Sequence, residues 1–306
     1  MNKRVLLTGA SGFIGAQVLD SLIGKGYEVH VVVRSKDIFF SKEVKVHFFD
    51  LFDIESHAKL MKEVSPSHLV HCAWYTDHGK YWESLENIRW FKASLSLAEQ
   101  FYAFGGKRFL GLGTCAEYSW KNGICSEDET PLLPSTLYGF SKLALYKMVL
   151  EIAKNYQEQF AWARIFLPFG PRESKERLIP YLINGLLGGE TVRCQNGSQL
   201  RDFLYVKEIG DAITCFLASS VQGAVNIGSG SAIQLDNLAL KIALMLGRPE
   251  LLDLGQNLRP IDKGVQILVA DTKKLLTEVK WSPKLEMDDA LLETIAWWKN
   301  NRKGII

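Results

Sequence analysis

Cysteine is sparse and unpaired in pattern. Five stand in 306 residues (Cys72, Cys115, Cys125, Cys194 and Cys215), an odd, scattered set without a C-x-x-C pair. No histidine or cysteine cluster has zinc-ligand spacing, so neither a disulfide scaffold nor a structural zinc module is expected. The chain is expected to be reduced, cytoplasmic and free of metal. Excess charge is lacking too: the net value of +2 gives no sign of a nucleic-acid partner or an anionic membrane surface. No uninterrupted apolar run is long enough to cross a bilayer. Met1–Arg4 leads straight into a first strand, which predicts no cleaved leader. What remains is ordinary globular composition, 47% apolar and 23% charged. The length suits one large domain or two unequal lobes.

The most informative stretch is the first. Val5-Leu6-Leu7 reads as a buried strand, Thr8-Gly9-Ala10-Ser11-Gly12-Phe13-Ile14-Gly15 spaces three glycines by three, and Val18, Leu19 and Leu22 continue at helical spacing. Strand, glycine turn and helix in this order predict a dinucleotide site. Gly9 allows the turn, Gly12 lets the backbone approach a pyrophosphate, and Gly15 lets the helix pack on the strand. Amides at the helix start, among Ser11, Phe13 and Ile14, then face the phosphates. A second strand, Glu28–Val33, ends in Arg34-Ser35-Lys36 rather than in an acid. Arginine there suits the 2′-phosphate of NADP, so NADP(H) is favoured through Arg34 and Ser35. NAD stays open, with Asp37 as a late acid.

Further strands are predicted at 44–49, 68–73, 108–113 and 161–166, and helices at 54–64, 85–104 and 135–156. This alternation predicts a parallel sheet with helices on both faces. His68 and His71, three apart on a strand, face opposite sides and read as packing residues. The aromatic stretch Trp74–Trp82 follows a strand end, where such sheets bind ligands, so Tyr75, Asp77, His78, Lys80 and Tyr81 are open as substrate contacts. The acidic loop Ser126-Glu127-Asp128-Glu129 reads as solvated. Beyond Pro168 the elements shorten, with helices near 178–187, 206–218, 235–246 and 287–299 and extended pieces at 191–194, 224–227 and 266–270. The fold class is thus α/β: a Rossmann-type doubly wound parallel sheet over 1–167, with a smaller C-terminal α/β substrate lobe over 168–306. Part of 201–230 is open to return to the main sheet.

Of ten tyrosines, only Tyr138 has a lysine four residues on, Lys142. On a helix these share a face. A neighbouring ammonium is expected to lower the phenol pKa, making Tyr138 a proton donor or acceptor. Lys142 is also placed to hold a nicotinamide ribose. Thr114, at a strand end, offers a hydroxyl to a reacting carbonyl oxygen.

Together these residues resemble the short-chain dehydrogenase/reductase superfamily in its extended, nucleotide-sugar-modifying branch. Thr8–Gly15 resembles that branch's T-G-x-x-G-x-x-G, and Thr114 with Tyr138 and Lys142 its catalytic triad. Arg164-Ile165-Phe166 with Gly170-Pro171-Arg172, Gln199–Val206, Asn226-Ile227-Gly228, Arg259-Pro260 and Trp281-Ser282-Pro283 also have counterparts. The resemblance implies cofactor contacts at Asp50 and Leu51, at Ala73 and at Asn87. It implies a diphosphate clamp from Arg201 and Arg259, with Val192 beside the nucleotide base and Cys115 beside the substrate. A homodimer through the two long helices is also implied, whose Trp90, Phe91, Leu145 and Met148 spread apolar surface over more than one face.

Departures from the pattern narrow the chemistry. Sugar 4,6-dehydratases of the branch carry Asp-Glu directly after the threonine; here Cys115-Ala116 follow, and alanine cannot move a proton. Cys115 also stands one residue after Thr114 rather than two, unlike the cysteine of fucose-type epimerase-reductases, and is expected to point elsewhere. Leu167 replaces the branch's asparagine. These readings imply an NADPH-dependent reductase of a nucleotide-linked 4-keto-6-deoxy sugar. A 4-epimerase keeping NAD bound is the alternative, and a cofactor-binding protein without turnover is a third.

Overall fold

Near-continuous burial along the central N-terminal strands puts them inside the molecule, covered on both faces. The computed structural model describes residues 3–36, 38, 40, 44–194, 197–255 and 265–301; Asp37 and Arg259 lie outside them. In chain order, the first half forms β1 (Arg4–Thr8), α1 (Phe13–Gly24), β2 (Glu28–Val33), β3 (Val44–Phe48), α2 (His57–Val64) and β4 (His68–His71). It continues with α3 (Glu86–Ala103), β5 (Arg108–Thr114), β6 (Ile124–Cys125), α4 (Leu137–Tyr156) and β7 (Gln159–Ile165). The second half adds β8 (Leu167–Phe169), α5 (Leu178–Gly188), β9 (Val192–Arg193), β10 (Leu200–Arg201), β11 (Phe203–Tyr205) and α6 (Val206–Ala218). Then follow β12 (Gly223–Ile227), β13 (Ile233–Gln234), α7 (Leu235–Met245), β14 (Leu252–Asp253), β15 (Ile267–Ala270) and α8 (Met287–Asn301).

Seven strands form one sheet in the order β12-β7-β5-β4-β1-β2-β3, all in parallel pairs. From β1 the chain moves outward to β2 and β3, then returns to lay β4 on the other side of β1. The carboxyl ends of β1 and β4 thus flank the switch point where doubly wound sheets bind ligands. Period-two burial sorts the side chains by face. Val5 and Leu7 of β1 pack with Val18 and Leu22 of α1 and Ile213 and Phe216 of α6. Leu6 packs with Leu60 of α2, Leu97 and Phe101 of α3, and Leu145 and Val149 of α4. β12 comes from the C-terminal half and closes one edge beside β7.

The remaining short strands and helices build a second core from α5, α7 and α8, around Leu182, Ile183, Leu238, Ile242, Leu291 and Trp298. β15 links this region to the first half by pairing with both β10 and β6. No described helix is long and apolar enough to cross a membrane.

Three local differences from the sequence reading have physical causes. The helix expected from 54 opens as a 3-10 turn, Ile54–Ser56, before α2. The helix expected from Ser135 starts at Leu137, because the Thr136 hydroxyl caps it by accepting from the Gly139 amide at 3.2 Å. The acidic loop is not wholly solvated. Glu127 is half-buried and accepts the Asn226 amide at 2.7 Å, which ties the loop to β12.

Candidate active site

A cavity of about 780 Å³ opens at the carboxyl ends of the central strands. Its floor is the glycine turn. Gly9 has φ +72°, and a Cβ there would lie 2.7 Å from the Ala73 nitrogen. A Cβ on Gly15 would lie 2.0 Å from the Gly9 carbonyl oxygen, so only glycine lets α1 approach β1 this closely. Gly12 is the N-cap of α1, with no side-chain cap and no acid in the first turn. The free amides and the helix dipole are therefore left for an anion, and these residues fit a dinucleotide diphosphate.

The cavity wall brings together most of the residues singled out from the sequence. Gly9, Ser11, Gly12, Phe13, Ile14 and Gly15 line it, as do Arg34 and Ser35 after β2, Asp50 and Leu51 after β3, and Ala73 after β4. Thr114, Cys115, Tyr138 and Lys142 line it at the other end. Asp50 is oriented by its own turn, its Oδ1 accepting the Phe52 amide at 3.0 Å. The His57 ring holds the Leu51 carbonyl, with Nε2 at 3.0 Å. Arg34 is exposed and makes no ion pair among the described residues.

Other expected contacts lie elsewhere. Asn87 is fully buried and spent on structure: its Oδ1 accepts the Trp74 indole N–H at 2.9 Å, and its amide donates to the Tyr81 and Ser84 carbonyls at 2.6 and 2.9 Å. Arg201 does not line the cavity; its guanidinium donates to the carbonyls of Leu200, Gln266 and Val265 and to Gln199 Oε1. Val192 is buried under α5 and also lies off the cavity wall. From the aromatic stretch, Tyr81 lines the cavity with Trp74, Thr76 and Trp82, whereas Asp77 pairs with Lys80 in solvent. Cys115 lines the cavity but packs in a buried cluster with Tyr118, Cys125 and Phe166, and burial pushes its thiol up to about 12.

Thr114 is fixed by a capping box at the end of β5. Its hydroxyl accepts the Ala116 amide at 3.2 Å, and Glu117 Oε1 accepts the Thr114 amide at 2.9 Å. Glu117 is wholly buried and also takes the Trp162 indole N–H at 3.0 Å and Arg164 Nε at 2.8 Å. Gly111 and Gly113 make room for that indole, since a Cβ on either would lie 2.3 or 2.1 Å from it.

Tyr138 stands on the first turn of α4, beneath an aromatic wall. The Tyr81 and Trp82 rings meet its ring edge-on at 4.9 and 5.8 Å, and the Trp82 carbonyl accepts its amide at 2.9 Å. Lys142, one turn on, is 3% exposed and donates to the Leu112 carbonyl at 2.8 Å. Burial pushes the Lys142 ammonium down to about 7, against the pull of Glu117 and Cys72. Burial also raises the Tyr138 phenol, and the Thr114 hydrogen bond offsets part of the rise. The expected lowering of the phenol by Lys142 is not found; desolvation sets the direction instead.

Two further residues line the cavity: Trp74, which opens the aromatic stretch but was given no role of its own, and Arg177, which carried no signal in the sequence. Trp74 stands over Lys142, and Arg177 stands over the Tyr81 ring at 5.9 Å. Arg177 makes no ion pair among the described residues. It sits at the N-cap of α5 and matches no motif.

Comparison with known proteins now places the chain. The family model described as NAD dependent epimerase/dehydratase family matches residues 5–228. The chain belongs to this family. Its members are oxidoreductase-type enzymes acting on nucleotide sugars. A dTDP-4-dehydro-6-deoxyglucose reductase of Escherichia coli is 23% identical over 309 residues, covering 94% of this chain and 95% of that protein. A UDP-N-acetylglucosamine 4-epimerase from Methanobrevibacter ruminantium superposes with a TM-score of 0.84 at 23% identity, covering 98% and 99% of the two chains. A dTDP-glucose 4,6-dehydratase from Bacillus anthracis, solved with NAD, gives 0.83 at 21% identity, covering 98% of each. Three activities therefore share this fold, and the choice among them falls to the residues of the cavity.

Proposed function

We propose that this protein is an NADPH-dependent reductase of a nucleotide-linked 4-keto-6-deoxy sugar. The observation that carries the reading is the acid–base content of the cavity. Among its described lining residues the only carboxylate is Asp50, at the far end from Tyr138. Ala116 stands where a dehydratase acid would be needed, and Glu117 is locked to Arg164. No group beside the threonine and tyrosine can remove a proton from C5 or deliver one to a C6 leaving group.

When bound, a dihydronicotinamide cofactor supplies the hydride. The protein's own residues manage the oxygen. Thr114 donates a hydrogen bond to the substrate's 4-keto oxygen, and Tyr138 gives its phenolic proton as that oxygen becomes an alkoxide. Lys142 then sits beside the phenolate until a solvent proton restores it. The raised phenol suits this direction, because a general acid must hold its proton at working pH. Arg34, exposed and without an ion pair, supports selection of the 2′-phosphate of NADPH. Arg177 is the cation at the substrate end, and we assign it to the substrate's diphosphate in place of Arg201. Exposed apolar residues on and beside α3 and α4 (Leu85, Ile88, Phe140 and Met148) support a homodimer through these helices.

The test is a screen of nucleotide-linked 4-keto sugars, following loss of NADPH and NADH. Turnover with NADPH is expected, and Tyr138→Phe should lower it by about 10²–10⁴-fold. No oxidation with any 4-keto substrate, or tightly bound NAD after purification, would overturn the proposal.

A further inference from the structure

Lys142 poses a problem of charge. It is 97% buried by its 3% exposure, and no carboxylate pairs with it. The charged or titratable groups that act on it are Glu117 beyond β5 and His71 and Cys72 at the end of β4, with Tyr138 one turn before it on α4. Glu117 is committed to Arg164, Trp162 and the Thr114 amide. His71 is clamped between the hydroxyls of Thr8 and Ser94, at 2.8 and 2.7 Å. His71 and Cys72 are both kept neutral by burial, so neither holds an ammonium in place.

The Leu112 carbonyl accepts one N–H of Lys142 at 2.8 Å but carries no charge, and the other neighbour is an aromatic face. Lys142 Nζ lies 3.9 Å from the centre of the Trp74 ring. An ammonium over an indole is drawn to the negative face of the ring, and more strongly in a dry site than in water. The indole is itself fixed at its edge by the bond from Nε1 to Asn87, which is fully buried and tied to the Tyr81 and Ser84 carbonyls. One face of Trp74 is therefore held against the ammonium from a rigid anchor.

We propose that Trp74 is a positioning residue of the reaction, whose π face holds Lys142 as an ammonium beside Tyr138, with Asn87 fixing the indole for that task. The proposal rests on the reading of Tyr138 and Lys142 as the proton-transfer pair. It also accounts for Asn87, which is fully buried and does not line the cavity.

The experiment separates charge from shape. Trp74→Phe keeps a π face without the indole N–H. Trp74→Leu keeps an apolar wall and removes the π face, and Trp74→Met replaces it if the leucine variant does not fold. The midpoint of Lys142 is read directly by NMR of ¹³Cε-labelled lysine in the full chain, with Lys142→Met assigning the signal. The alkaline limb of NADPH oxidation is followed in parallel. The leucine or methionine variant is expected to lower the midpoint by about one pH unit, a tenfold loss in proton affinity, while phenylalanine retains most of it. A midpoint unchanged in the aliphatic variant, or one that falls as far in phenylalanine, would overturn the proposal. A shifted midpoint in a protein that reduces no keto sugar would instead overturn the reading of the reaction.

Discussion

Replacing Glu117 with leucine should damage both stability and rate, and the two effects can be separated. Glu117 and Arg164 are 0% and 1% exposed at their side chains, and they meet at 2.8 Å. Removing the carboxylate leaves a buried guanidinium with only the Tyr118 hydroxyl at 2.9 Å and the Tyr118 and Tyr146 rings at 4.7 and 5.0 Å. It also orphans the Trp162 indole N–H and the Thr114 amide. Breaking one side of a buried pair costs about 3–5 kcal/mol. At roughly 2 °C per kcal/mol for a chain of this size, Tm should fall by about 6–10 °C. The companion variant Glu117→Leu/Arg164→Met replaces the pair with apolar groups. It should recover most of the lost stability, because isosteric apolar replacement of a buried pair is often neutral. It should not recover kcat, since the Thr114 amide still lacks its acceptor. Urea denaturation of the wild type, both single variants and the double variant closes the cycle. A single-variant cost below about 1 kcal/mol, a double-variant cost equal to the sum of the singles, or full return of kcat would refute the reasoning.

Other outcomes follow from the same geometry. Arg34→Ala removes the exposed cation from the end of β2; loss of a charged hydrogen bond worth about 1.5–3 kcal/mol should raise KM for NADPH by about 10–100-fold and leave NADH unchanged, which initial-rate kinetics with both cofactors will show. His71 is pushed by burial down to about 3, from an ordinary value of 6.5. The unfolded chain therefore binds a proton that the folded chain refuses, so His71's contribution is complete above pH 6.5 and is lost as pH falls towards 3. His71→Gln should flatten the stability profile between pH 6 and 4 by up to about 1.4 kcal/mol per pH unit, and equal slopes in the two proteins would contradict the assignment.

The periodic parts of the fold were legible in the sequence, because the central strands are buried on both faces and the long helices repeat their apolar residues at helical spacing. Glu28–Val33 and Val206–Ala218 are strand and helix spans that the pattern reproduces residue for residue. Legibility fell where the chain depends on distant partners. Strands of two residues, such as Leu200–Arg201, have no period to read and exist because Ile233 and Gln234 on one side and Ile267 and Leu268 on the other pair with them. The site divides in the same way. Glycine spacing and the Tyr138–Lys142 interval are local signals, and both lead to the cavity. Arg201 was read as a phosphate ligand, but its guanidinium is occupied by carbonyls that adjoin it only in three dimensions. Arg177 was invisible for the converse reason: it belongs to no spaced pattern, and the cavity alone shows what it faces, while the aromatic stretch from Trp74 gave a region without selecting Trp74 in it. The tyrosine pKa was misjudged because a lysine neighbour is readable from sequence, whereas the degree of burial is not.

The central claim is that this cavity delivers a hydride permanently to a keto sugar. Its most direct test is incubation with NADPH deuterated at nicotinamide C4, using both faces in turn, and a nucleotide-linked 4-keto-6-deoxy sugar. The account predicts one equivalent of NADP⁺ per product and a mass gain of one deuterium at C4 from a single face of the cofactor. A product formed without net consumption of NADPH, or one carrying no deuterium at C4 from either labelled form, would contradict it.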